Sequence, residues 1–182
     1  MNSIDLLLKR QSNPLLQAPA PKEADIDTIL KAGMRVPDHA GLTPWHFTLI
    51  KDKGLQRLSE VFVEAVTLDQ ADDAKLAKAA KMPFRAPLII LVSTKFQPHE
   101  KVPEQEQIVA AGCSAHAMQM AAYALGYGAM WRTGELSYHP YVKEKLGVTA
   151  GNEIIGFLYI GTIAKPLPTK KSRSYDCHIS YL

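Results

Sequence analysis

The sequence reads Arg35-Val-Pro-Asp-His-Ala-Gly-Leu-Thr-Pro-Trp-His-Phe47 where a helical pattern gives way to a strand pattern. A rigid polar loop between a helix and a strand is a common place for a ligand site. Within the loop, Pro44, Trp45 and Phe47 suit a structural role, with the indole anchoring the loop to the core. Arg35 and His39 are the polar groups that the loop can present, and we expect both to take part in binding.

Helical and strand patterns alternate on both sides of this loop. Apolar spacing predicts helices at about 3–10, 23–35, 104–125 and 140–146, and two more within 55–82 that are broken near 69–73. Ser3 is expected to cap the first of them. β-rich runs predict strands at 46–51, 88–94, 129–132 and 153–160, the last closed by Gly161. With no internal repeat or boundary, residues 1–182 are expected to form a single α/β or α+β domain.

The composition indicates a folded chain with a real core. Apolar residues make up 47% of the 182 residues and charged residues 21%, so disorder is not expected. A net charge of +3 permits an anionic ligand but does not indicate a nucleic-acid partner. The longest apolar run is too short to cross a bilayer, and we expect no membrane association and a cytoplasmic protein. The spacing of the two cysteines and six histidines predicts no metal site.

The predicted helix at 104–125 is apolar nearly all round, which is typical of a helix buried on all sides. It is either a central core helix or a helix packed against a second copy of the chain. Within it, Cys113 is expected to be a buried thiol. His116 is expected to be a hydrogen-bonded core residue.

Three groups at loop ends offer hydrogen-bond donors without a neighbouring acid or nucleophile: Arg10-Gln11-Ser12, Arg35 with His39, and Trp131-Arg132-Thr133-Gly134. Arginines and hydroxyls suit a phosphate, and planar polar groups suit a heteroaromatic ring. The chain has no nucleophile elbow, no phosphate-binding P-loop and no dinucleotide fingerprint. A site made of donors fits a cofactor that performs its own chemistry, so no side chain is expected to be catalytic.

In their order and spacing these groups resemble the FMN-dependent nitroreductase family, in its minimal-length bacterial form. The resemblance extends almost from end to end. It is carried by Leu6-Leu-Leu-Lys-Arg-Gln-Ser12, Ala32-Gly-Met-Arg-Val-Pro-Asp-His39, Pro44-Trp-His-Phe47, Phe84-Arg-Ala-Pro-Leu-Ile-Ile90, Ala111-Gly-Cys113, Ala117-Met-Gln-Met-Ala-Ala122, Trp131-Arg-Thr-Gly134 and Ile155-Gly-Phe-Leu-Tyr-Ile-Gly-Thr162.

The resemblance implies an α+β fold with a central mixed sheet flanked by helices, in an intertwined homodimer with FMN at the subunit interface. His39 would reach the flavin of the partner subunit. The flavin-contacting residues would be Arg10, Gln11, Ser12, Arg35, His39, Trp131, Arg132 and Thr133. The nicotinamide nucleotide would be contacted by Ala121, Ala122, Tyr123, Ala124, Leu125 and Gly126.

The implied activity is ping-pong hydride transfer through flavin N5, from NAD(P)H to a small flat acceptor such as a nitroaromatic or a quinone. A protein that binds, stores or senses flavin without turnover would carry the same motifs. The sequence departs from the family at Gln11, at Pro14-Leu15 where a basic residue is usual, and at Gly41 and Thr43. Whether Lys171 or Arg173 contacts the FMN phosphate is left open.

Overall fold

One five-stranded sheet between helices organises the chain in the computed structural model, which describes residues 2–171 and 173–182. The helices are α1 (Ser3–Lys9), α2 (Glu23–Gly33), α3 (Lys53–Leu68), α4 (Asp73–Lys81), α5 (Glu104–Ala124), α6 (Glu135–Tyr138) and α7 (Pro140–Lys145). The strands are β1 (Leu16–Gln17), β2 (Trp45–Lys51), β3 (Leu88–Thr94), β4 (Gly128–Arg132) and β5 (Ile154–Ile163). The predicted helices and strands are confirmed to within a few residues. The two-residue β1 and the four-residue α6 were not predicted.

The central strand of the sheet is β5. It pairs with β3 along one edge and with β4 along the other, and its last two residues pair with β1. β2 pairs with the free edge of β3. All of these pairs are antiparallel, so the predicted α+β class is confirmed. The prediction of a mixed sheet is wrong for the described part of this chain, because each strand is antiparallel to its neighbours.

Side chains alternate between the two faces of the sheet, as a pleated strand requires. In β3, Ile89 and Leu91 pack with residues of α3, α4 and α7, whereas Leu88, Ile90 and Val92 pack with residues of α2 and α5. Every residue of β3 is buried. This confirms the prediction of a strand covered on both faces.

The first helix is capped one residue earlier than expected. The side chain of Asn2, not of Ser3, accepts a hydrogen bond of 2.8 Å from the backbone N–H of Asp5. Asn and Ser are comparable N-caps, and Ser3 already lies in the first turn of α1.

Within a single chain α5 is not buried on all sides, which corrects the alternative of a central core helix. The alternative of a helix packed against a second copy stays a prediction. Val109 is 60% exposed, and His116 is exposed rather than being a hydrogen-bonded core residue. Cys113 is half-buried. Most alanines of α5 are buried or half-buried, whereas Ile108, Val109 and Ala124 are exposed although they are apolar. Apolar composition alone therefore does not tell which face of a helix is covered.

β5 continues two residues beyond Gly161, where we expected it to end. A Cβ at position 161 would lie 2.6 Å from Pro87 Cδ and 3.0 Å from Gln17 O. Gly161 therefore permits a close approach of chain segments within the strand, a role that glycine also has in sheets.

Among the described residues, no helix has both the length and the apolar character needed to span a membrane.

Candidate functional site

Residues 10–12 form a turn that follows α1 and lies against the edge of β4. The backbone N–H of Asn13 donates to Ala129 O at 3.0 Å. From α5, Gln119 Nε2 donates to Ser12 Oγ at 3.2 Å and to Ala129 O at 3.4 Å. Arg10 Nη1 lies 3.5 Å from Ser12 Oγ. These bonds hold two predicted site residues, Arg10 and Ser12, in one place at the start of β4.

The segment that follows β5 supports the same turn from another side. Gln11 Nε2 donates to Leu167 O at 3.3 Å, and Asn13 Nδ2 donates to Lys165 O at 3.1 Å. Asn13 is buried, whereas residues 10–12 are half-buried. The turn is thus fixed in position while its donors stay accessible to a ligand.

β4 presents further backbone groups along the same edge. Ala129 O points away from β5, because it accepts from Asn13 and Gln119. Backbone groups alternate in direction along a strand, so the N–H and C=O of Trp131 point to the same edge as those of Ala129. A ligand along this edge could therefore contact both the turn at 10–12 and the backbone of Trp131.

The side chains of Trp131 and Arg132 point to opposite faces of the sheet. Trp131 Nε1 donates to Ile155 O at 3.1 Å, and its ring packs with the α2 and α5 side of the core. Arg132 lies on the side of α3 and α4, with its guanidinium carbon 5.4 Å from the centre of the Tyr159 ring. Burial, and after it the nearby Arg85, lower the pKa of Arg132. The predicted segment 131–133 therefore contributes to two different environments.

The loop at 35–47 is anchored as predicted. Trp45 is buried, and its Nε1 donates to Met34 Sδ at 3.2 Å. Asp38 Oδ2 accepts from the backbone N–H of Thr43 at 2.7 Å. Ala40 (φ 63°) and Thr43 (φ 50°) have left-handed backbones, which are uncommon for residues other than glycine. The loop thus holds a strained shape with Arg35 and His39 exposed on it.

One chain does not bring His39 to the turn at 10–12. His39 Nδ1 lies 2.7 Å from Glu106 Oε2 near the start of α5, whereas Ser12 is bonded to Gln119 near its end. The 13 residues from Glu106 to Gln119 span about 20 Å of helix at 1.5 Å per residue. Within one chain, His39 and Ser12 are therefore bonded to opposite ends of α5.

The segment predicted to contact the nicotinamide nucleotide forms the end of α5 and the turn after it. Ala122 is fully buried, whereas Ala124, Leu125 and Gly126 are exposed. Tyr123 OH donates to Lys9 O at 3.2 Å, which places this end of α5 beside the turn at 10–12.

Gln119 and Asn13 were not predicted from the sequence, although they position the site. Gln119 is the polar residue in the apolar run Ala117-Met-Gln-Met-Ala-Ala122, and it is buried. A buried amide requires hydrogen-bond partners, so a glutamine inside an apolar run could have indicated a residue that positions other groups. No cluster of three or more metal-ligating side chains is found within the described residues.

Comparison of the sequence with known proteins gives a consistent result. The profile of the nitroreductase family matches residues 7–162. YdjA of Escherichia coli (strain K12), named as an NAD(P)H nitroreductase, is 45% identical over 162 residues, which are 89% of this chain and 88% of that protein. A Haemophilus influenzae protein, also named as an NAD(P)H nitroreductase, is 36% identical over 163 residues, or 89% of each chain.

Solved structures share the fold at lower identity. A nitroreductase-like family protein from Bacillus cereus superposes with a TM-score of 0.86 at 22% identity, covering 100% of this chain and 96% of that one. A nitroreductase with bound FMN from Bacteroides fragilis superposes with a TM-score of 0.75 at 21% identity, covering 100% of both chains.

Proposed function

This chain belongs to the nitroreductase family, and on that premise we propose that it is an FMN-dependent NAD(P)H oxidoreductase. One structural observation carries the proposal: the turn at 10–12 and the backbone of Trp131 line one edge of β4 with hydrogen-bond donors. Nitroaromatic or quinone-like compounds are the proposed acceptors.

The residues along this edge fit FMN. Arg10 and Ser12 offer charged and hydroxyl donors of the kind that bind phosphate or the ribityl chain. The backbone of Trp131 offers a donor and an acceptor at strand spacing, which suits the polar edge of a flat ring. On the α3 and α4 side of the same strand, Arg132 Nε is buried and has no hydrogen-bond partner among the described residues, so a ligand that reaches this side would find a free donor.

When bound, FMN would supply the redox chemistry, which is hydride transfer from NAD(P)H to an acceptor in a ping-pong cycle. The protein binds and orients the reacting molecules. Arg10 and Arg35 would hold the phosphate or ribityl end, and residues 131–133 would position the ring. Residues 121–126, at the end of α5 beside the turn, remain our prediction for contact with the nicotinamide nucleotide. None of these residues is proposed to exchange a proton with the substrate.

We propose that the functional form is a homodimer. His39 lies about 20 Å along α5 from the turn, so it contacts a flavin bound there only when a second copy supplies it. Large apolar side chains are exposed on α1, on α5 and in the C-terminal segment; they are Ile4, Leu7, Leu8, Val109, Tyr175, Ile179 and Tyr181. Exposed apolar surface of this extent is typical of a protein interface.

The visible spectrum of the purified protein tests the proposal. We expect flavin absorption bands that bleach when NADH or NADPH is added without oxygen and return when a quinone is added. A protein that does not bind FMN would contradict the proposed cofactor. Flavin bands that neither nucleotide bleaches would instead support the alternative of a flavin-binding protein without turnover.

A further inference from the structure

A cavity of about 330 Å³ lies beside β4, on the side of the sheet that α3 and α4 cover. This volume is at the lower end of the roughly 300–1,000 Å³ typical of small-molecule sites. Its walls are mainly apolar, with Phe62, Met130 and Phe157 among them. Two cationic side chains reach it: Arg85, from the short turn before β3, and Arg132, from the end of β4.

The two guanidinium groups have no counter-charge in the cavity. None of the lining residues is acidic. Within the described ranges, neither arginine takes part in an ion pair. A buried donor without a partner costs about 1–3 kcal/mol, and Arg132 Nε is such a donor. The aromatic face of Tyr159 compensates only part of the charge. An anion between the two arginines would satisfy the free donor and remove their mutual repulsion.

The shape of the cavity restricts what this anion can be. Apolar and aromatic walls suit a ring, whereas guanidinium groups bind planar, negatively charged edges with paired donors. The cavity is also lined by Trp131 and Thr133, two residues of the proposed flavin-contacting segment. Its ligand is therefore close to the proposed redox site.

We propose that Arg85 and Arg132 hold the negatively charged edge of a planar ring in this cavity. The inference rests on the proposed function, because the ring comes from one of two sources in that reaction. It is the reduced, anionic flavin ring, or it is an aromatic acceptor that carries a carboxylate. Both molecules present a planar ring with a negatively charged edge to the arginines. Separate measurements distinguish the two molecules.

The variants Arg85→Met and Arg132→Met remove one charge each, and Arg57→Met removes a matched charge from an exposed position on α3. If the cavity holds the flavin ring, each cavity variant binds reduced FMN about tenfold less tightly relative to oxidised FMN. The midpoint potential of bound FMN then falls by about 30 mV for this two-electron couple. Arg57→Met should leave the potential unchanged.

A second measurement compares two acceptors that differ in charge, para-nitrobenzoate and its methyl ester. If the cavity holds an acceptor, the wild-type protein favours the carboxylate in kcat/KM. Both cavity variants then lose that preference about tenfold or more while the flavin potential stays constant. If both cavity variants match Arg57→Met in potential and in acceptor preference, the proposal is overturned.

Folding and the proposed function are controlled separately. Melting temperatures identify any variant that does not fold. Arg85→Gln, which keeps a planar polar group with N–H donors but removes the charge, then decides by the same thresholds. Calorimetric titration of the flavin-free wild type with benzoate tests the cavity even if the protein neither binds FMN nor oxidises NAD(P)H. In that case, the anion site is supported if benzoate binds to the wild type and binds about tenfold less tightly to Arg85→Gln. Absence of benzoate binding overturns it.

Discussion

Arg10 is the residue whose charge the proposed cofactor site needs most. It is half-buried in a turn that hydrogen bonds fix to β4 and to α5. A hydrogen bond to a charged group contributes about 1.5–3 kcal/mol, so we expect Arg10→Ala to weaken FMN binding by about tenfold or more. Fluorescence titration of the flavin-free protein with FMN measures this. Lys31→Ala, which removes an exposed cation from α2, is the matched control, and equal affinities in the two variants would contradict the assignment.

The phenol of Tyr159 makes stability depend on pH in the alkaline range. Burial raises the pKa of Tyr159 to about 12, although Arg85 and Arg132 act in the opposite direction. Because the unfolded chain loses this proton first, the free energy of unfolding falls as pH rises from about 10 to about 12. We expect a loss of about 2–3 kcal/mol that is absent from Tyr159→Phe.

Urea unfolding at several alkaline pH values measures this loss. The comparison with Tyr159→Phe is needed because the pKa values of Lys51, Tyr127 and Tyr141 are also raised, and these groups remain in both proteins. Parallel pH curves for wild type and Tyr159→Phe would show that Tyr159 does not cause the effect.

Individual residues of the candidate site could be proposed from the sequence where their chemistry shows in a short motif. Arg10, Gln11 and Ser12 form such a motif. The sequence did not predict which of Trp131 and Arg132 points to which face of the sheet, because this depends on how β4 pairs with β5. The bonds of Gln119 to Ser12 and Ala129 join parts of the chain that a local pattern cannot relate.

Among the elements, β5 shapes the site through a glycine. A Cβ at Gly156 would collide with Trp131 Nε1 and lie 2.6 Å from Trp131 Cδ1. We therefore expect Gly156→Ala to displace the indole and the segment 131–133, which is proposed to contact the flavin. Overpacking of this kind destabilises a protein by about 1–3 kcal/mol, and FMN affinity should fall as well.

Thermal unfolding and FMN titration measure both effects of Gly156→Ala. Gly54→Ala in α3 is a suitable control, because its Cβ would make a milder contact, 3.3 Å from Ile50 Cγ2, and because a helix favours alanine over glycine. If Gly156→Ala melts and binds FMN as Gly54→Ala does, the indole is not held by this contact.

Element boundaries were predictable because apolar spacing and turn residues are local properties of the chain. The predictions were wrong where contacts with another element decide how a residue is arranged or buried. Gly161 was interpreted as a strand end, yet Pro87 and Gln17 approach it and the strand continues. α5 was predicted to be buried on all sides, either inside the core or against a second copy, yet within a single chain it keeps an exposed face that includes Val109.

In the whole molecule, the class of fold followed from the sequence but the sheet did not. The pairing of β3 with β5 joins residues such as Leu88 and Ile160, which are far apart in the chain. The direction of such a pair depends on the path of the intervening chain, including α5, which local spacing does not define. The sheet of the described residues is therefore antiparallel, although a mixed sheet was expected.

The proposed dimer makes a prediction about the exposed face of α5. Val109 is 60% exposed in the single chain and lies beside His39 in a surface groove. If a second copy covers this face, Val109→Glu buries an unpaired charge, which costs several kcal/mol. We expect analytical ultracentrifugation to show a monomer that no longer retains FMN, because His39 is then absent from the partner's site. Leu68→Glu, at a 61% exposed position on α3, should remain dimeric with FMN bound. If the Val109→Glu protein stays dimeric and retains FMN, the interface lies elsewhere. If the wild-type protein is a monomer that binds FMN, the site does not need a second subunit.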